Sequence, residues 1–228
     1  MSMSPEDGHP ICDRTLDRET LQQLEGPQSL IQCDLSEADL SRLDLSDWSF
    51  ERCNLRKTDF SGAKLERTRW RSCRAAFANL TGCDLSEATF AASDFNNASF
   101  KRAVLEGAKF GQCKLTGADL TDVRGVDFHF EETLLIDAKL PGLSFRRATL
   151  TRMDFSQADL RKCDFRQASF QRSSLREANM QGCRFEGADL RGADLGGLRL
   201  VDAGLFRGAT ISREQAAQIL GELGLNIR

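Results

Sequence analysis

The sequence predicts an all-β solenoid closed by a C-terminal α-helix. Three observations predict it. A large apolar residue recurs at every fifth position from Leu30 to Leu205, the position two before it is small, and residues 209–228 give up that period for a helical one. Of the 36 positions in the apolar series, only Ala75 and Gly125 lack Leu, Phe, Trp or Met. On an α-helix a five-residue step advances about 140°, so the apolar set would spiral round every face. On a flat strand every second repeat would point the wrong way. The period works if the chain turns a corner every five residues and stacks coil on coil.

Residues 1–27 precede the regular repeat. Ile11, Leu16 and Leu21 are five apart but displaced by one residue from the main phase. They read as a degenerate first coil, or Leu21 and Leu24 belong to a short helix; both readings stand. Gly26-Pro27 marks the junction.

Residues 28–208 form the solenoid. The unit reads Ala-(Asp/Asn)-Leu-x-x, as in Ala158-Asp159-Leu160-Arg161-Lys162. Small inward groups leave room for the large central ones, which lets a narrow core reach native packing density. Seven of the eight cysteines (Cys33, Cys53, Cys73, Cys83, Cys113, Cys163 and Cys183) share the small slot with Ala, Ser and Thr; Cys12 lies before the repeats. They read as small buried hydrophobes. Close pairs of the Cys-x-x-Cys kind are absent, so no zinc site is expected. Parallel Cβ vectors one coil apart stand too far apart for disulfides. Cys33, Cys53, Cys73 and Cys113 recur at multiples of 20, the spacing of a coil with four sides, and 36 units then make nine coils. Twelve of the 15 Phe are central and Tyr is absent, as suits a core in which a hydroxyl would lack a partner.

Residues 209–228 read as a helix. Ser212-Arg-Glu-Gln215 is a capping box. Ala216, Ile219, Leu220 and Leu223 follow helical spacing, and Gly224 suits a C-cap. The helix covers the open end of the coil stack. Leu223 and Leu225 add apolar surface that reads as a dimer seam.

Composition excludes several classes. Net charge is -3 with 29% charged residues, which fits neither a polyacidic tail nor a strongly basic nucleic-acid binder. No apolar run reaches the roughly 20 residues that span a bilayer, and Met1–Gly8 is polar, so a soluble cytoplasmic protein with reduced thiols is expected. The two histidines, His9 and His129, stand alone, and no phosphate loop, nucleophile elbow or metal motif occurs. The chain reads as a non-enzyme with no cofactor and no metal.

Function then lies on the surface. Two stretches leave the consensus: Ala75 lacks bulk and puts Phe77 outward, and around Gly125 bulky Phe128 occupies the small slot while Leu134 and Ile136 fall outward. Either stretch, residues 71–79 or 121–133, reads as local strain or a bulge, or as a loop or exposed patch that grips a partner. Summed over residues 29–207, the outward positions carry +3 on the side of Phe50, -2 on that of Leu55, +1 on that of Phe60 and -1 on that of Leu65, so no side is a continuous acidic stripe. Along the chain, however, residues 1–50 are net -8 and the remainder +5.

The 36 in-phase units resemble the pentapeptide repeat family, over residues 28–208. The resemblance implies a right-handed quadrilateral β-helix of about nine coils. The C-terminal segment resembles that of the quinolone-resistance branch, whose rods imitate duplex DNA, bind DNA gyrase or topoisomerase IV and dimerise through this helix. It implies a homodimer through Ala216, Ile219, Leu220, Leu223 and Leu225, with no membrane and no direct nucleic-acid partner. The partner surface it implies is the acidic set Asp84, Glu87, Asp119, Asp122, Asp127, Glu131, Glu132 and Asp137 with Phe77 and His129. A structural or adaptor solenoid for another protein is the alternative.

Overall fold

A computed structural model describes residues 9–198, 204–222 and 224–226. The expected β-solenoid of about nine turns with a short C-terminal helix is what it shows. The chain divides into two compact units, residues 1–110 with 123–129, and residues 111–122 with 130–228.

In the first unit the strands β1 (Ile11–Cys12), β2 (Ser29–Ile31), β3 (Ser49–Glu51), β4 (Arg69–Arg71) and β5 (Thr89–Ala91) pair in parallel. Register is 20 residues from β2 onward, as in Leu30↔Phe50↔Trp70↔Phe90. β1 pairs Ile11 with Leu30, one residue short of that register. This accounts for the displaced phase; of the two leucines assigned to a short helix, Leu21 lies in one and Leu24 past its end. Leu16 and Leu21 are buried as in a coil, and α1 (Arg18–Gln22) then replaces a corner, capped by Asp17 Oδ1 accepting from the Thr20 amide at 2.9 Å. β6 (Lys109–Gly111) and β7 (His129–Glu131) fall where the units divide. In the second unit β8 (Thr149–Thr151) pairs with β9 (Ser169–Gln171), and β10 (Ser173–Ser174) with β11 (Ala193–Asp194).

Each coil has four short sides of five residues. Every central residue from Leu30 to Leu195 is buried except Gly125. The rings stack within each unit: Trp70 lies 4.3 Å from Phe50 and 5.7 Å from Phe90, and Phe165 lies 5.0 Å from both Phe145 and Phe185. The residue two after each centre from Leu30 to Phe185 turns the corner with positive φ, and 25 such residues are not glycine. That conformation costs about 1 kcal/mol or more per residue. Amides of the turn, such as Glu37 N donating to Arg56 O at 2.9 Å, hold it against the next coil.

The small slot is more than small. Thr58 Oγ1 donates to Leu35 O at 2.7 Å, Ser173 Oγ to Leu150 O at 3.0 Å and Cys83 Sγ to Phe60 O at 2.9 Å, each to a central carbonyl 23 residues earlier. Cys, Ser and Thr alternate there because each carries a short donor. All eight cysteines are thiols, and Cys12 is the exposed one.

The helix α2 (Arg213–Glu222) opens on the expected capping box, with Gln215 N donating to Ser212 Oγ at 3.1 Å and Ser212 N to Gln215 Oε1 at 2.7 Å. Gly224 has φ +82°. One expectation is corrected. The repeat was expected to run in phase to Leu205, but Phe206 stacks on Phe185 at 4.7 Å, and Asp189 bridges Thr210 across 21 residues rather than 20. The last turn holds one extra residue, so Phe206 takes the central place in the stead of Leu205. The expected central Leu200 and the seam residue Leu223 lie outside the described residues.

Candidate protein-binding surface

The coil geometry assigns every outward side chain to a side and to a row. A residue and its partner 20 positions on sit one above the other, and opposite charges in such rows pair. Glu37 accepts from Lys57 at 2.8 Å, Asp47 from Arg67 at 2.8 Å and Asp44 from Lys64 at 3.2 Å. Other carboxylates turn inward on their own corner, as when Asp84 Oδ1 accepts Ser86 N at 3.0 Å and Ser86 Oγ at 2.6 Å. Hydrogen bonds from Ser36 hold the Asp34 carboxyl below the usual range, and those from Arg67 do so for Asp47.

One side of the first unit is neutralised only in part. It is centred on Leu45, Leu65, Leu85, Leu105 and Gly125, and its outward positions carry Asp44, Asp47, Glu66, Asp84, Glu87, Glu106 and Asp127 against Lys64, Arg67 and Arg124, a net charge of -4. Among the described residues Glu66, Asp84, Glu87, Glu106 and Asp127 make no salt bridge. In the second unit the corresponding side carries +3 through Arg146, Arg147, Arg166, Arg184 and Arg207 against Asp164 and Glu186. Summing the whole chain cancelled the two, which is why the sequence reading found no acidic stripe.

The Gly125 irregularity lies on this acidic side. No loop projects there or at residues 71–79, because the coils close without insertion, through Leu105 N to Arg124 O at 2.7 Å and Gly107 N to Val126 O at 3.0 Å at the first and Ala75 N to Asp94 O at 2.7 Å and Phe77 N to Asn96 O at 2.9 Å at the second. Gly125 has φ +115°, and a Cβ there would lie 2.6 Å from Glu106 N, so only glycine fits. The pinch turns Val126 out to 61% exposure, and Glu106 Oε2 accepts its amide at 2.8 Å.

The ten residues expected to contact a partner are divided between the two units and, within each, between different sides. Asp84, Glu87 and Asp127 share the acidic side. Phe77, 52% exposed at a positive-φ corner, belongs to the side of Ala75, and His129 to that of Phe130. In the second unit Asp119 pairs with Lys139 at 3.7 Å, and Glu132 pairs with Arg152 and accepts from Gln112. Asp122 sits on the corner of the side that holds Asp119, Asp137 on the corner after Leu135, and Glu131 on β7. Glu66 and Glu106 were missed; counting each side over half the chain would have found them. Of the seam residues, Leu220 and Leu225 are exposed, and Ala216 and Ile219 half-buried.

The model of the pentapeptide repeat region matches residues 28–100, and that of pentapeptide repeats in eight copies matches 83–122, 129–167 and 168–203. The chain belongs to the pentapeptide repeat family. Among curated proteins none matches it. Solved pentapeptide repeat structures are similar to it. HetL of Nostoc sp. PCC 7120, involved in heterocyst differentiation regulation, is 27% identical, with 77% of this chain and 78% of that one covered and a TM-score of 0.46. Full-length QnrB1, a plasmid-mediated fluoroquinolone resistance protein, is 16% identical over 95% and 97%, with a TM-score of 0.49. Rfr23 of Cyanothece 51142 is 23% identical over 54% and 81%, with a TM-score of 0.20. Members of this family are generally non-catalytic. Among the described residues of this pentapeptide repeat protein no helix is long and apolar enough to cross a membrane.

Proposed function

We propose that this protein binds a type II topoisomerase, DNA gyrase or topoisomerase IV, through the acidic side of its first unit and shields the enzyme from quinolones or other poisons. The observation that carries the reading is the set of five carboxylates without salt bridges on that one side, beside exposed Val126. They offer a DNA-binding surface the negative charge it is built to receive. The apolar surface of Leu220 and Leu225 on the C-terminal segment supports a homodimer. The test is binding of purified gyrase by interferometry in competition with duplex DNA. Displacement by DNA, and a loss of at least tenfold in affinity for Glu66→Gln/Glu87→Gln/Asp127→Asn, are expected. Binding that DNA leaves untouched would favour an adaptor solenoid.

A further inference from the structure

The second unit carries a surface of opposite character that the topoisomerase reading does not use. Residues 145–176 hold eight bases and three acids, a net of +5. All three acids are held within their own sides. Asp154 accepts Ser156 N at 2.9 Å and Ser156 Oγ at 2.5 Å. Asp159 takes both arms of Arg161 at 2.8 and 2.7 Å, and Asp164 is bound by Arg166. Residues 145–153 and 165–173, which make β8, β9 and the corners on either side of them, contain Arg146, Arg147, Arg152, Arg166 and Arg172 and no carboxylate. Arg152 is matched by Glu132 and Arg147 Nε by Gln167 Oε1 at 2.9 Å. Arg146 and Arg172 are exposed and make no salt bridge among the described residues. Between the arginine rows the outward residues are Thr149, Thr151, Ser169 and Gln171, all neutral hydrogen-bonding groups.

We infer that the edge where the side of Phe145 and Phe165 meets that of β8 and β9 binds the phosphodiester backbone of duplex nucleic acid. Planar guanidinium forks match phosphate oxygens, and Ser, Thr and Gln side chains are the neutral groups that also bind backbone phosphates. Protein contacts centre on aromatic, apolar or arginine anchors packed in desolvated pockets. The exposed large apolar residues, Phe77, Val126, Ile211, Leu220 and Leu225, all lie elsewhere. From the sequence, a nucleic-acid binder on this basic half ranks third, because no aromatic stacking residue points outward there. Outward aromatic rings serve single strands, whose bases stack on them, whereas backbone contact to a duplex needs none. Binding here is independent of sequence.

The test is fluorescence anisotropy of a labelled 20-base-pair duplex against the full chain. With about three phosphates neutralised, the slope of log K against log salt is about -3, a loss of roughly 60-fold between 50 and 200 mM salt. Arg146→Gln/Arg147→Asn/Arg172→Asn, with Asn at the two positive-φ corners because it tolerates them, weakens binding at least tenfold and flattens the slope. Arg42→Asn/Arg56→Gln/Arg102→Asn, the same charge change in the first unit, leaves both unchanged. Equal loss in the two triple variants would reduce the effect to net charge and overturn the proposal. So would competition by polyglutamate as effective as by unlabelled duplex, which would assign the edge to an acidic protein. Should the first triple variant lose its far-ultraviolet dichroism, Arg172→Asn alone carries the test, with at least a threefold loss expected and none contradicting it.

Discussion

The side-chain amide of Gln215 stands where the next coil would begin: its Nε2 lies 2.6 Å from the carbonyl oxygen of Ala193 and 2.6 Å from that of Leu190. Inside the stack such carbonyls receive the following coil, as Cys33 O receives Asn54 N and Leu35 O receives Thr58 Oγ1. One side chain thus substitutes for a backbone amide and a small-slot donor. Glu222 continues the seal by accepting Gly197 N at 3.0 Å. Gln215→Ala leaves two carbonyls bare and is expected to cost about 1–3 kcal/mol. Gln215→Glu, which sets a carboxylate against them, is expected to cost more. Calorimetric melting of the two variants checks the order.

Trp70 is the largest fully buried side chain, stacked between Phe50 and Phe90, with its Nε1 donating to Thr68 Oγ1 at 2.9 Å. Trp70→Ala should cost about 3–5 kcal/mol through the cavity it opens. Trp70→Phe keeps the stack and should cost less than half of that. Urea denaturation measures both.

Seven thiols are buried in the small slot, and burial pushes Cys83 up to about 12. The native protein at pH 8 should react rapidly with a disulfide reagent at one thiol, Cys12, and at eight after unfolding. Three or more fast thiols in the native state would contradict the packing.

The stability of the coil depends on pH in one direction. Hydrogen bonds from Arg191 bring Asp189 down to about 2, and those from Arg67, Arg161 and Arg166 lower Asp47, Asp159 and Asp164. A carboxyl whose folded value is depressed contributes stability above its unfolded value near 3.9 and loses it as pH falls through the folded one. The melting temperature should be level from pH 5 to 8 and fall between about pH 4 and 2. High salt should lessen the fall, because the ion pairs are exposed.

The fold was legible because a solenoid repeats one local rule: Leu, Phe or Trp at the centre, a small residue two before, a charged or glycine corner two after. Periodicity alone assigns Leu30 through Leu195 to the core. The rule fails where the stack ends. A coil one residue short places Ile11 under Leu30, and one extra residue lets Phe206 replace Leu205 over Phe185. Terminal turns have a neighbour on one side only, so register there is set by α1 and α2. The candidate surface was half legible. Asp84, Glu87 and Asp127 were marked by charge, but Asp119 and Glu132 looked equally free. Their partners Lys139 and Arg152 lie 20 residues away, a distance that only the coil makes short.

The central claim is that the acidic side occupies a topoisomerase and protects it. It is tested most directly by gyrase supercoiling of relaxed plasmid in the presence of a fluoroquinolone. Micromolar protein is expected to restore supercoiling, and Glu66→Gln/Glu87→Gln/Asp127→Asn to fail. Neither protection nor inhibition at that concentration would contradict it.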